Sequence, residues 1–94
     1  MSGFVYVMAS RKGGTLYTGL TADLPRRVWE HRDEVTGGFT AKYGVKRLVW
    51  YREYDDITDA IAEEKRIKKW RRAWKIELIE AVNPEWRDLY EDIV

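Results

Sequence analysis

The chain has no cysteine, so it can form neither a disulfide nor a thiolate metal site, which fits a reducing compartment and sets the expectation of a cytoplasmic protein. No stretch approaches the roughly 18 consecutive apolar residues of a membrane span. The start, Met1-Ser2-Gly3-Phe4, lacks a basic segment ahead of a long apolar run, so no secretory leader is expected. Repeats, low-complexity tracts and linker-like segments are also missing, and 94 residues leave no room for a separate substrate-binding module. The expectation is one domain over residues 1–94. A domain this small buries only a modest share of its surface. The five Trp and six Tyr compensate, because each large ring takes much apolar area into the core.

Net charge is nearly absent as well, at +1, but the even balance conceals an asymmetry. Residues 1–75 hold 16 Lys and Arg against 10 Asp and Glu, whereas residues 76–94 hold Arg87 alone against six acids. A basic body of +6 with an acidic tail of −5 can attract a polyanion on one face and stay soluble.

Phe4-Val5-Tyr6-Val7-Met8 reads as a buried strand ending at the turn-rich Ser10-Arg11-Lys12-Gly13-Gly14, and Thr15 to Gly19 returns as a second strand. A loop with an even number of residues, Arg11 to Gly14 for instance, puts Tyr6 and Tyr17 on one sheet face, within roughly 5–8 Å of each other between backbones. An odd loop puts them on opposite faces. Asp23 and Pro25 mark the start of a helix running to about Arg32, with Leu24 and Val28 towards the core and Arg27 and His31 one above the other at i and i+4. Gly37-Gly38 breaks the chain, and Phe39 to Tyr43 forms a short helix stopped at Gly44. Arg47 to Tyr54 is a third strand, rich in β-branched and aromatic residues.

After Asp55-Asp56, the recurrence of Ile57, Ala60, Ile61, Ile67 and Trp70 predicts a long helix to about Arg72. Glu64 points near the middle of its apolar stripe, roughly 30° from the centre at about 100° per residue. Trp74, Ile76, Leu78, Ile79 and Val82 suggest another helix ended by Asn83-Pro84. A last helical segment, Glu85 to Asp92, is expected to anchor through Trp86, Leu89 and Tyr90. Trp70 and Trp74 are read as core residues rather than as platforms for bases.

Phenol, guanidinium, imidazole and carboxylate are the groups that phosphodiester hydrolysis uses, and here they follow in the order Tyr6, Tyr17, Arg27, His31, Glu64. At these residues, and over nearly the whole chain, the sequence resembles the GIY-YIG nuclease superfamily, most of all its small stand-alone members. The family's first tripeptide corresponds to Phe4-Val5-Tyr6, its second to Tyr17-Thr18-Gly19, its Arg to Arg27 with Arg26 alongside, and its Glu to Glu64. The departures are specific. The first tripeptide keeps only its Tyr, Thr18 replaces the family Ile, and Leu20 stands where DNA-repair members often carry Lys. His31 resembles the His that some homing-type members place one turn after the Arg. Asn83, the only Asn in the chain, reads as a helix stop rather than as the Asn that contributes in some members.

The resemblance implies an α/β (α+β) domain, with a short central three-stranded and mostly antiparallel sheet flanked by helices. It also implies a metal-dependent endonuclease. Glu64 would hold one Mg²⁺ or Mn²⁺, Arg27 would grip phosphate oxygens with its planar fork, Tyr17 would act on the attacking water, and Tyr6 would set the geometry. Lys65-Arg66, Lys68-Lys69, Arg71-Arg72 and Lys75 place seven cations in eleven residues. Of these Lys65, Lys68, Lys69 and Arg72, together with Arg11, Lys12 and Arg26, are candidate phosphate contacts, which add affinity without sequence information. The expected partner is nucleic acid, DNA before RNA, cut with low sequence specificity or with specificity borrowed from a partner protein or a second copy. The alternatives are a nucleic-acid-binding module on the same fold with weak or lost cleavage, and a scaffold that meets protein partners through its acidic tail.

Overall fold

The computed structural model describes residues 1–33 and 38–94; the expected break at Gly37 lies outside them. Three strands, β1 (Gly3–Ala9), β2 (Leu16–Thr21) and β3 (Arg47–Tyr54), form one antiparallel sheet in the order β2-β1-β3. The α-helices are α1 (Leu24–Arg32), α2 (Phe39–Lys42), α3 (Ile57–Lys68), α4 (Arg72–Val82) and α5 (Tyr90–Ile93). Among the described residues, no helix is long and apolar enough to cross a membrane.

The central strand β1 is buried on both faces, and its alternation divides the core in two. Val5, Val7 and Ala9 join Val49, Trp50, Ala60, Ile67, Ile79 and Trp86 on the side of α3 and α4. Tyr6 and Met8 join Leu24, Val28, Val45 and Leu48 on the side of α1 and α5. Between Val7 and Met8 the register with β3 slips by one residue, Val7 facing Trp50 and Met8 facing Leu48. Val49 is thus left outside the one-to-one pairing. Its carbonyl accepts a hydrogen bond from Asn83 Nδ2 at 3.0 Å, so the slip leaves no buried acceptor unpaired there.

The helix starts follow their caps. Asp23 accepts from the Arg26 N–H, with Pro25 in the first turn, and Asp56 accepts from the Thr58 N–H. The stop of α2 is a glycine at positive φ, Gly44.

Two helix boundaries differ from the sequence expectation. The α3 helix ends at Lys68, short of Arg72, because the N–H groups of Lys69 and Trp70 reach back only three residues, to Arg66 and Ile67. The tightened turn carries Trp70 against the core edge, beneath the Arg66 guanidinium. The C-terminal segment is helical only over Tyr90–Ile93, not from Glu85. Trp86 takes a positive φ of 55°, and side chains replace the helical pattern. Asn83 Oδ1 accepts from the Arg87 N–H and Asp88 Oδ1 from the N–H groups of Leu48 and Tyr90. Trp74 is also corrected, since it is half-exposed rather than core, with the Arg71 guanidinium 4.5 Å from its ring centre.

Candidate functional site

The hairpin loop sets the site. Ser10 N–H bonds the Thr15 carbonyl, leaving the four residues Arg11 to Gly14 between them. With this even loop Met8 faces Tyr17 and Tyr6 faces Gly19. The two phenols therefore share the α1 face of the sheet as diagonal neighbours, with ring centres 6.3 Å apart. Gly19 makes this possible, because a Cβ there would lie 2.5 Å from both Cζ and the hydroxyl oxygen of Tyr6.

The α1 helix brings the next two groups. His31 is buried, one turn beyond Arg27, and its ring is 5.8 Å from that of Tyr6 and 5.2 Å, edge-on, from that of Tyr17. Its two nitrogens are both engaged, Nε2 with the Tyr6 hydroxyl and Nδ1 with Thr40 Oγ1, each at 2.9 Å. Burial and the nearby Arg27 charge, against the weaker pull of Glu30, hold the imidazole pKa down at about 4. It is neutral near pH 7. Burial pushes the Tyr6 phenol well above its usual pKa, with Tyr17 and Glu64 adding to the rise and Arg27 opposing it. The phenol thus keeps its proton and donates to Nε2, which assigns the remaining ring proton to Nδ1 and the bond to Thr40.

Arg27 is partly buried, its Nη1 3.0 Å from Glu30 Oε1, and the other oxygen of Glu30 is 3.5 Å from Arg26 Nε. Glu64 lies on the α3 face bounded by the fully buried Ala60 and Ile67. Its side chain is 14% exposed, enough to remain open to solvent, and pairs with Lys68 Nζ at 2.8 Å. Its charge is felt at Tyr6. β1, β2 and α1 thus bring Tyr6, Tyr17, Arg27 and His31 together, while Glu64 stands on α3, the helix that packs against Val5, Val7 and Ala9.

The carboxylate suits a hard divalent cation, and here it is paired with the half-exposed Lys68 ammonium one turn along the helix. Among the described residues no three His, Cys, Asp or Glu side chains cluster as a ligand set. A cation here would therefore depend on Glu64 with water and phosphate oxygens, a shell that Mg²⁺ accepts readily.

The candidate phosphate contacts are dispersed. Lys65 and Lys68, in the second half of α3, and Lys69 just beyond its end are exposed. Arg11 and Lys12 are exposed in the hairpin turn, with Lys12 3.8 Å from Glu85. Arg72 is committed locally, its Nη2 donating to the carbonyls of Gly13 and Gly14 at 2.8 and 2.6 Å. Sequence reasoning missed Thr40 and Phe39. A lone Thr in a short helix carries no signal that it will meet a histidine nine residues earlier. The pairings of Arg27 with Glu30 and of Glu64 with Lys68 follow the i,i+3 and i,i+4 spacings that bring such groups together on a helix.

The chain is similar to known proteins over most of its length. The model of the GIY-YIG catalytic domain matches residues 2–77. The UPF0213 protein of Syntrophus aciditrophicus is 36% identical over 86 residues, covering 87% of this chain and 93% of the relative. That of Clostridium perfringens is 32% identical over 76 residues, 81% of each. The solution structure of the UPF0213 protein from Bacillus halodurans superposes with a TM-score of 0.59 at 27% identity, over 94% of this chain and 93% of that one.

Proposed function

The chain belongs to the GIY-YIG catalytic-domain family, a nuclease-type family, and on that premise we propose that it is a metal-dependent endonuclease hydrolysing DNA phosphodiester bonds. The observation that carries this reading is the gathering of Tyr6, Tyr17, Arg27 and His31 on one sheet face.

The roles divide by environment. Tyr17 is the phenol that solvent still reaches, and its hydroxyl orients the attacking water through a hydrogen bond, the water's proton leaving to solvent. Tyr6 keeps its own proton and is no base; its hydroxyl, tied to His31, fixes the wall against which Tyr17 packs. His31 is neutral and tied at both nitrogens, so its part is positioning. Arg27 exchanges Glu30 for a phosphate oxygen and balances charge at phosphorus. Glu64 would hold Mg²⁺ or Mn²⁺, which when bound supplies positive charge at the leaving oxygen. Exposed Lys65, Lys69, Arg11 and Lys12 track the backbone and favour low sequence specificity.

The test is a cleavage panel of linear, nicked, branched and single-stranded DNA with Mg²⁺, Mn²⁺ or EDTA. It is run on the wild type and on Tyr17→Phe, Arg27→Ala and Glu64→Gln proteins. Metal-dependent cutting that falls at least a hundredfold in each variant supports the enzyme; binding without cutting by the wild type removes it.

A further inference from the structure

From Tyr17 a line of rings runs out to the surface. The Phe39 ring centre is 6.1 Å from that of Tyr17, and the Tyr43 ring centre is 4.8 Å from that of Phe39. Both separations lie within the usual range of aromatic pairs, about 4.5–7 Å. Phe39 and Tyr43 stand one turn apart, at i and i+4, and so share one side of α2. They are 47% and 48% exposed, and the Lys42 ammonium is 5.4 Å from the Tyr43 ring centre. The platform is also fixed in place. The buried Thr40 between these rings bonds His31, the Val45 N–H bonds the Thr40 carbonyl, and Gly44 stops the helix.

We propose that Phe39 and Tyr43 form a stacking platform for an unpaired nucleobase next to the phosphate at Tyr17, with Lys42 placed for the following phosphate. The placement rests on the nuclease reading above. Two half-exposed rings continuing directly from the phenol of the site, with a cation at their outer end, match the alternation of base and phosphate along a strand. Inside a duplex both faces of a base are covered by its neighbours. The platform can therefore engage only a base that is free, at a single-stranded segment, a flap or an extruded position.

The experiment separates this from the cleavage reading by measuring binding in EDTA. A fluorescein-labelled 12-nucleotide DNA strand, free or annealed to its complement, is titrated with wild-type, Phe39→Leu, Tyr43→Leu and doubly substituted protein. Leucine keeps apolar cover over Tyr17, and thermal unfolding checks each variant. The double variant is expected to bind the free strand about tenfold more weakly and the duplex within twofold of wild type. A second measurement needs no variant, since wild-type protein should bind a strand with one abasic site, placed in turn along its length, about tenfold more weakly at one position. Equal losses on strand and duplex, no loss on either, or indifference to every abasic site overturns the platform. Mg²⁺-dependent cutting that these substitutions leave untouched on strand and duplex alike sinks the platform and keeps the nuclease. A strand-selective loss of binding in a protein that never cuts keeps the platform and sinks the nuclease.

Discussion

The Tyr6 ring lies directly over Gly19, across the β1–β2 ladder, so close that a methyl group on Gly19 would meet the phenol carbon and oxygen at 2.5 Å. The family glycine is thus the space the tyrosine occupies. Gly19→Ala must push the ring aside and break its bond to His31. Overpacking of this kind costs about 1–3 kcal/mol, read as a lower midpoint in urea. If Tyr6 sets the site, DNA cutting falls further than stability does. Cutting that survives intact in a protein so destabilised would remove Tyr6 from the site.

His31 gives the fold a definite response to acid. Its pKa is about 4 in the folded protein against about 6.5 in an unfolded chain. Between these values the unfolded chain binds more protons, so stability falls as pH is lowered. The loss is expected to be about 2 kcal/mol from pH 7 to pH 5. It is attributable to one group, because the chain has a single histidine. Urea titrations at both pH values on wild type and His31→Gln test this; the variant should show little of the slope, and an equal slope in both would refute the buried neutral imidazole.

Thr18 stands where the family has an apolar residue, and its hydroxyl is buried without a hydrogen-bond partner. An orphan hydroxyl of this kind costs about 1–3 kcal/mol. Thr18→Val keeps the shape and removes the polar atom, so stability should rise by about 1 kcal/mol, or about 4–8 °C in Tm for a domain of this size. An unchanged or lower Tm would mean that the hydroxyl is satisfied.

Arg72 clips the hairpin turn to the start of α4 through the carbonyls of Gly13 and Gly14. Arg72→Ala should lower stability by about 1 kcal/mol and leave the salt dependence of DNA binding nearly unchanged. Lys65→Ala and Lys69→Ala should each reduce the slope of log affinity against log salt by about 1. An Arg72 variant that alters only the salt slope would return this residue to the phosphate contacts.

The strands were legible because β-branched and aromatic runs between turn residues have few other solutions. Arg47 to Tyr54 matches β3 to the residue, and the first two strands differ by one or two residues at their ends. The shared face of Tyr6 and Tyr17 was open in the sequence, since it turned on a loop parity that the structure fixes at four residues. The end of α3 was not legible, since Lys69 and Trp70 carry no helix-breaking chemistry and the stop comes from where Trp70 packs. Asn83 was read correctly as the α4 terminus, but its bond to the Val49 carbonyl depends on a register slip in a distant strand. Glu85 to Asp92 looked helical by its apolar spacing. There, Asn83 and Asp88 offered the backbone other partners, and that local competition prevailed over periodicity.

Leu89, Tyr90 and Ile93 pack under the same sheet face as the two phenols, and Asp88 ties this stretch to Arg32 and to the Leu48 N–H. During synthesis, then, the half of the core behind Tyr6 stays open until the residues up to Ile93 have cleared the ribosome's exit tunnel. A chain arrested before Leu89 should therefore leave the cluster of Met8, Leu24, Val28 and Leu48 more open to water than the whole fold does.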